Sequence, residues 1–164
     1  MRAVLVPGVL ALLPEYAGLV DPVAELRAAC LDAVAWLGPG PVEILADPQG
    51  RRVAEALLSA VGGFETGLRP SSTTESYLVV GNGSARRTEK APGHLDERSF
   101  AFDDALRAAL VSKEPQWPSS ELGSSLLASL DGIQQAGDLL SGEATVDYDD
   151  DPFGVQYWVM RWQS

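Results

Sequence analysis

The sequence predicts an α/β fold: a mainly parallel central sheet flanked by helices on both faces, formed as a single domain over residues 1–164. Three observations predict it. Short apolar runs at Arg2–Val6, Val42–Ala46 and Tyr77–Val80 end at Pro, Gly or Asp, as buried strands do. Stretches of helical period alternate with these runs, and strand–helix alternation implies parallel crossovers. A length of 164 residues supports one sizeable core and falls short of two ordinary domains.

The elements follow in order. Arg2–Val6 is a first buried strand, stopped by Pro7-Gly8. Asp21 is a good N-cap, Pro22 suits the first helical position, and Glu25 stands where a capping box needs it. Val23, Leu26, Cys30, Ala33, Val34 and Leu37 then recur at helical spacing until Gly38-Pro39-Gly40-Pro41. Val42–Ala46 is a second strand and Arg51–Val61 a second helix, with Val53, Leu57, Leu58 and Val61 on one side. Tyr77–Val80 is a third strand that runs into Gly81-Asn82-Gly83. Phe102, Leu106, Ala109 and Leu110 mark a third helix, and Pro115–Ser120 is a break. Leu122–Leu140 reads as one interrupted helix or two short ones. The acidic run Asp147, Asp149 and Asp151 reads as a solvated turn ahead of Val155–Trp162, a strand apolar on both faces.

Composition excludes several functions. Twelve Lys+Arg against 23 Asp+Glu give a net charge of −11, the opposite of the basic face that nucleic acid or anionic lipid requires. No apolar run approaches the roughly 20 residues that span a bilayer. The opening MRAVLVPGVLALL imitates a signal peptide but is broken by Pro7-Gly8 and closed by Pro14-Glu15, so a cytoplasmic protein is expected. One cysteine, Cys30, rules out an internal disulfide and multi-cysteine zinc motifs, and it lies on a helix's apolar stripe. One histidine, His94, limits imidazole chemistry equally, and no cofactor is expected.

Positive charge is concentrated in one place. Residues 71–98 hold four basic and four acidic side chains, whereas residues 99–164 hold three and 11. Within that middle segment the run Gly81-Asn82-Gly83-Ser84-Ala85-Arg86-Arg87-Thr88-Glu89-Lys90 leaves a strand at its carboxyl end, where open α/β sheets bind ligands. Glycines permit close backbone approach, and successive N–H groups can form an anion-binding nest. Gly81, Asn82, Gly83, Ser84, Arg86, Arg87 and Lys90 are therefore the candidate ligand-binding residues, for a small anionic molecule. The competing reading is a tight turn whose cations pair internally with Glu89, Asp96, Glu97 or the C-terminal acids. Neither a P-loop nor a full G-x-G-x-x-G is present.

The stretch GNGSARRTEKAPGHLDER at 81–98 resembles a motif of an actinobacterial branch of the class III extradiol ring-cleavage dioxygenase-like proteins. The ending DDDPFGVQYWVMRW at 149–162, the helix around Phe102–Leu110 and the opening VPGVLALLPEYAG are similar to that branch as well. The resemblance implies a dioxygenase-like α/β fold. It also implies that active members hold non-haem iron(II) with two histidines and a carboxylate, plus a histidine acid/base. Here Val6-Pro7-Gly8-Val9, Ala46-Asp47-Pro48-Gln49-Gly50 and Asn82–Arg86 carry no histidine where the family places them. The chain is accordingly expected to hold no metal, to have no catalytic residue of the family's type and to lack ring cleavage.

Ser84 is not in a G-x-S-x-G elbow, and Pro152 stands where a calcium loop needs its glycine. Three alternatives stay open. A non-metal enzyme could use Glu89, Asp96 or Glu97 beside Arg86, Arg87 or Lys90; the chain could be a structural or homo-oligomerising protein with 81–98 as interface; or a partner chain could complete a dioxygenase.

Overall fold

In a computed structural model, which describes residues 1–66 and 75–164, the order is β1 (Arg2–Val6), α1 (Ala24–Trp36), β2 (Gly40–Pro41), β3 (Glu43–Leu45), α2 (Pro48–Val61), β4 (Phe64–Glu65), β5 (Ser76–Val80), α3 (Arg98–Leu110), α4 (Ser120–Ser125), α5 (Asp131–Ala136), β6 (Thr145–Asp150) and β7 (Tyr157–Gln163). A five-stranded sheet has the order β3-β5-β1-β7-β6, while β2 and β4 form a separate two-residue parallel pair.

The first three strands of the sheet are parallel, with Val4 opposite Leu78 and Ile44 opposite Leu78 on the other side. The last two are not. β7 runs antiparallel to β1, pairing Leu5 with Met160, and β6 returns antiparallel to β7. The sheet is therefore mixed, and the acidic run expected to be a turn is instead the edge strand β6. Its side chains alternate: Val146 and Tyr148 are half-buried, while Thr145, Asp147 and Asp149 are more exposed. Short connections favour antiparallel neighbours, and only six residues, 151–156, join β6 to β7.

β1 is buried along Ala3–Val6. Val4 and Val6 pack in one apolar cluster with Leu26, Cys30 and Val34 of α1 and Val53 and Leu57 of α2. Ala3 and Leu5 pack in another with Phe102 and Leu106 of α3, Ile133 of α5, and Trp158 and Trp162 of β7.

Two helix starts differ from expectation. α2 begins at Pro48, three residues early, because the Asp47 side chain accepts the Gly50 N–H at 2.6 Å and Pro48 occupies the first turn. α1 begins only at Ala24. Asp21 accepts the Val23 N–H at 3.1 Å and holds Arg27 at 2.7 Å, and Arg27 also donates to the carbonyls of Leu12 and Ala11. Asp21 thus ties the preceding loop to the helix. The stretch 122–140 resolves into α4, α5 and a 3-10 turn, Gly137–Leu140.

Candidate functional site

β5 delivers the segment 81–98 to the carboxyl end of the sheet, and there the main-chain donors of Gly81 to Ala85 and of Arg87 turn inward. The N–H of Gly81 bonds the Val6 carbonyl at 3.0 Å, that of Asn82 the Ser129 carbonyl at 3.0 Å, and that of Gly83 the Gln156 carbonyl at 2.9 Å. Ser84 gives its N–H to Asp103 Oδ1, Ala85 to Leu126 and Arg87 to Gly154. These donors reach β1, α3, the 126–129 connection and the β6–β7 turn. Engaged within the chain, they do not form a nest for an anion.

The glycines serve close packing within the chain. A Cβ on Gly81 would lie 2.8 Å from both Ile133 Cγ1 and the Ser129 carbonyl oxygen. One on Gly83 would lie 2.6 Å from Asp103 Oδ1 and 3.0 Å from Trp158.

Asp103, at the centre of this junction, is a residue that sequence reasoning missed. Only 2% exposed, it accepts the Ser84 hydroxyl at 2.6 Å and Arg87 Nη1 at 2.9 Å on Oδ2. Burial pushes its carboxyl above the ordinary carboxylate range, against the opposing pull of the Ser84 bonds and the Arg87 charge. Arg87 also reaches Asp151 at 2.7 Å and stacks on Phe100 with 4.7 Å to the ring centroid. Burial works against the Arg87 charge, yet the bonds to Asp151 and Asp103 raise its pKa overall. A signal was present: Asp103 interrupts the buried face Ser99, Phe102, Leu106, Leu110 of α3, and a buried acid needs a partner.

The remaining candidates lie apart. Arg86 Nη1 donates to the Ser125 carbonyl at 3.1 Å, while its Nε is buried without a partner. Lys90 is exposed, and among the described residues it makes no ion pair. Of the possible acid/base groups, Asp96 is held by Arg98 at 2.7 Å, and Glu89 and Glu97 are exposed on the surface. None of the three lines the cleft described next.

That cleft lies beside the carboxyl ends of β1, β3 and β5, the position at which open α/β sheets take ligands. Its volume is about 410 Å³, and its polar lining is Asp47, Gln49, Asn82, Ser129 and Tyr157, with Gly8–Ala11 of the loop after β1. Asn82 alone of the seven expected residues lines it. Local structure fixes these groups: Asp47 caps α2, Gln49 donates to the Gly8 carbonyl at 2.9 Å, and Asn82 donates to the Gly83 carbonyl at 3.1 Å. Ser129 makes a two-way main-chain bridge with Asn82. Tyr157 comes from β7, and burial pushes its phenol up to about 12, so its hydroxyl keeps its proton at neutral pH.

The donor set does not fit an iron(II) centre. The cleft lining contains one carboxylate, Asp47, and no imidazole. His94 lies outside it at φ 57°, with Nδ1 3.2 Å from the Glu89 carbonyl oxygen. Among the described residues no three His, Cys, Asp or Glu side chains converge as metal ligands. Likewise, among the described residues no helix is long and apolar enough to cross a membrane. Comparison with known proteins found no matching family model, no matching curated protein and no matching solved structure.

Proposed function

We propose that this chain is a binding protein of extradiol-dioxygenase-like architecture, without an iron centre, whose site is the cleft at the carboxyl ends of β1, β3 and β5. The observation that carries the reading is the convergence of Asp47, Gln49, Asn82, Ser129 and Tyr157 on that cleft, together with the inward turn of the donors of Gly81 to Ala85 and Arg87. Helices on both faces of the sheet belong to the same reading, supported by the division of alternate β1 side chains between two apolar clusters.

The ligand class differs from the one the loop composition suggested. The lining offers a carboxylate, two amides, a hydroxyl and a protonated phenol, and no cation. A carboxylate without a facing cation disfavours an anion and favours a small polar ligand bearing an ammonium group. The 81–98 segment meets this cleft through Asn82, and Arg87 ties the segment to Asp103 and Asp151.

Thermal melts with ethanolamine, phosphate and succinate test the reading. Ethanolamine is expected to raise the melting temperature of the wild type, and neither anion to do so. Asp47→Asn keeps an N-cap for α2 and removes the charge, so it abolishes the ethanolamine effect while leaving the fold intact. Stabilisation by phosphate with none by ethanolamine returns the site to Arg86 and Lys90.

A second reading, self-association, is favoured by one observation. Tyr16, Leu19 and Val20 are exposed together in the segment between β1 and α1, at 55%, 109% and 85%. Sedimentation of the wild type and of Leu19→Asp decides it: association that the substitution abolishes supports this surface, and a wild-type monomer removes it.

A further inference from the structure

A second cavity, sharing no lining residue with the cleft, lies between α3, α5 and the segment that leads into α4. We propose that it is a binding site for a small, neutral, mainly apolar molecule that carries one hydrogen-bonding group.

The cavity's volume is about 320 Å³, within the range of ligand pockets. Leu106, Leu130 and Ile133 line it with aliphatic carbon, and Trp117 adds an indole that is 40% exposed. An exposed indole beside aliphatic carbon is a stacking surface for a flat ring. Two polar side chains join the lining, Ser120 and Gln134, and among the described residues neither the Ser120 hydroxyl nor the Gln134 amide has a hydrogen-bond partner. An apolar pocket with a few unengaged polar groups binds a ligand's carbon by burial and orients it through those groups. No charged residue lines the cavity. A ligand charge would therefore lose water without gaining a counter-charge, which sets the class as neutral.

The pocket is not left over from loose packing. Gly132, one residue before Ile133, presses α5 so closely on the sheet that a Cβ there would lie 2.2 Å from the Val80 carbonyl oxygen and 2.4 Å from that of Leu45. α5 has no room to move toward the sheet, and a Cβ on Gly123 of α4 would lie 2.6 Å from Leu130 and 2.9 Å from Phe102.

The test is a proton–nitrogen NMR titration of the full chain with 2-naphthol as the neutral probe and 2-naphthalenesulfonate as its anionic counterpart. Saturable shifts are expected with 2-naphthol at the amides of Leu130, Ile133, Gln134 and Gly137 and at the Trp117 indole. The sulfonate should bind at least about tenfold more weakly, because its charge would be desolvated without a partner. Gln134→Phe, at an exposed helix position, places a ring in the cavity mouth and should weaken 2-naphthol by about tenfold. Trp117→Ala, also at an exposed position, removes the stacking surface and should weaken it by about fivefold. The proposal is overturned by no saturable shift at those amides, by equal affinity for the sulfonate, or by unchanged 2-naphthol affinity in either variant that retains a dispersed spectrum.

Discussion

Ser84 gives Asp103 both of its hydrogen-bond donors, the main-chain N–H to Oδ1 at 2.8 Å and the hydroxyl to Oδ2 at 2.6 Å. One carboxylate on α3 therefore fixes the conformation of the glycine-flanked segment that leaves β5. With Arg87 also on Oδ2, three donors converge on a single buried acid. Asp103→Ala strands all three and should destabilise the protein by about 3–5 kcal/mol. Asp103→Asn should rescue little, because an amide has one acceptor oxygen and the donors arrive on both carboxylate oxygens. Urea unfolding of both variants checks this; recovery to near wild-type stability in Asp103→Asn counts against it.

The two adjacent arginines should behave differently. Arg87→Ala leaves Asp103 buried without its cation and should cost about 3–5 kcal/mol. Arg86→Ala removes a bond on an exposed carbonyl and a buried, unpaired Nε, so it should cost about 1 kcal/mol or less. Melting temperatures measured with and without phosphate test both points. A phosphate-dependent rise that Arg87→Ala abolishes would transfer Arg87 from scaffold to ligand.

Gly132→Ala should be strongly destabilising, by about 3 kcal/mol, since backbone carbonyl oxygens 2.2 and 2.4 Å from the new methyl have no rotamer by which to retreat. Gly18→Ala is the control. Nothing lies within 4 Å of its Cβ, and the change should be neutral or slightly stabilising. Equal effects at the two positions would contradict the packing described for α5.

Alkaline stability should follow Tyr157. Its phenol is pushed up to about 12 in the folded chain by burial, against an ordinary 10.0. The folded state therefore holds the proton more tightly. The contribution is complete below 10.0 and is lost as pH rises through about 12. Tyr148, raised by burial and then by Asp150, adds in the same direction. Tyr157→Phe removes one titrating group, so its urea midpoint should fall less steeply over this interval than that of the wild type. An equal slope would mean that Tyr157 does not titrate with unfolding.

The parallel half of the sheet was legible because β1, β3 and β5 are apolar runs stopped by Pro7-Gly8, Asp47-Pro48 and Gly81. The antiparallel half was not. β7 is apolar on both faces, and such a pattern is the same in either orientation; only its partner β6 reveals the direction. β6 was hidden because Asp147, Asp149 and Asp150 place charge on an edge strand, where charge discourages pairing with other chains and also obscures the Val146–Tyr148 alternation. In the candidate site, glycines, cations and N–H groups were all visible, but a linear sequence does not say where a donor's acceptor lies. Arg87 shows this: of its two partners, Asp151 is one of the C-terminal acids expected to pair with these cations, whereas Asp103, 16 residues away, was not foreseen, and the nearer Asp96 and Glu97 do not pair with it. Asp47, Gln49 and Tyr157 were missed as cleft residues because the sheet order brings them together from separate strands and helices.

The inward turn of the 81–98 segment bears on how likeness between chains can be interpreted. Its glycines are held by Ile133, Trp158 and Asp103, and its amides by Val6, Leu126 and Gln156. Two proteins that share this block would share the constraint of closing the same junction. On the proposed reading of the cleft, only Asn82 of that block would touch a ligand, and Val9–Ala11, Gln49 and Leu127 could change without disturbing that junction. A likeness confined to this block would therefore report a shared way of closing the sheet and would leave the choice of ligand open.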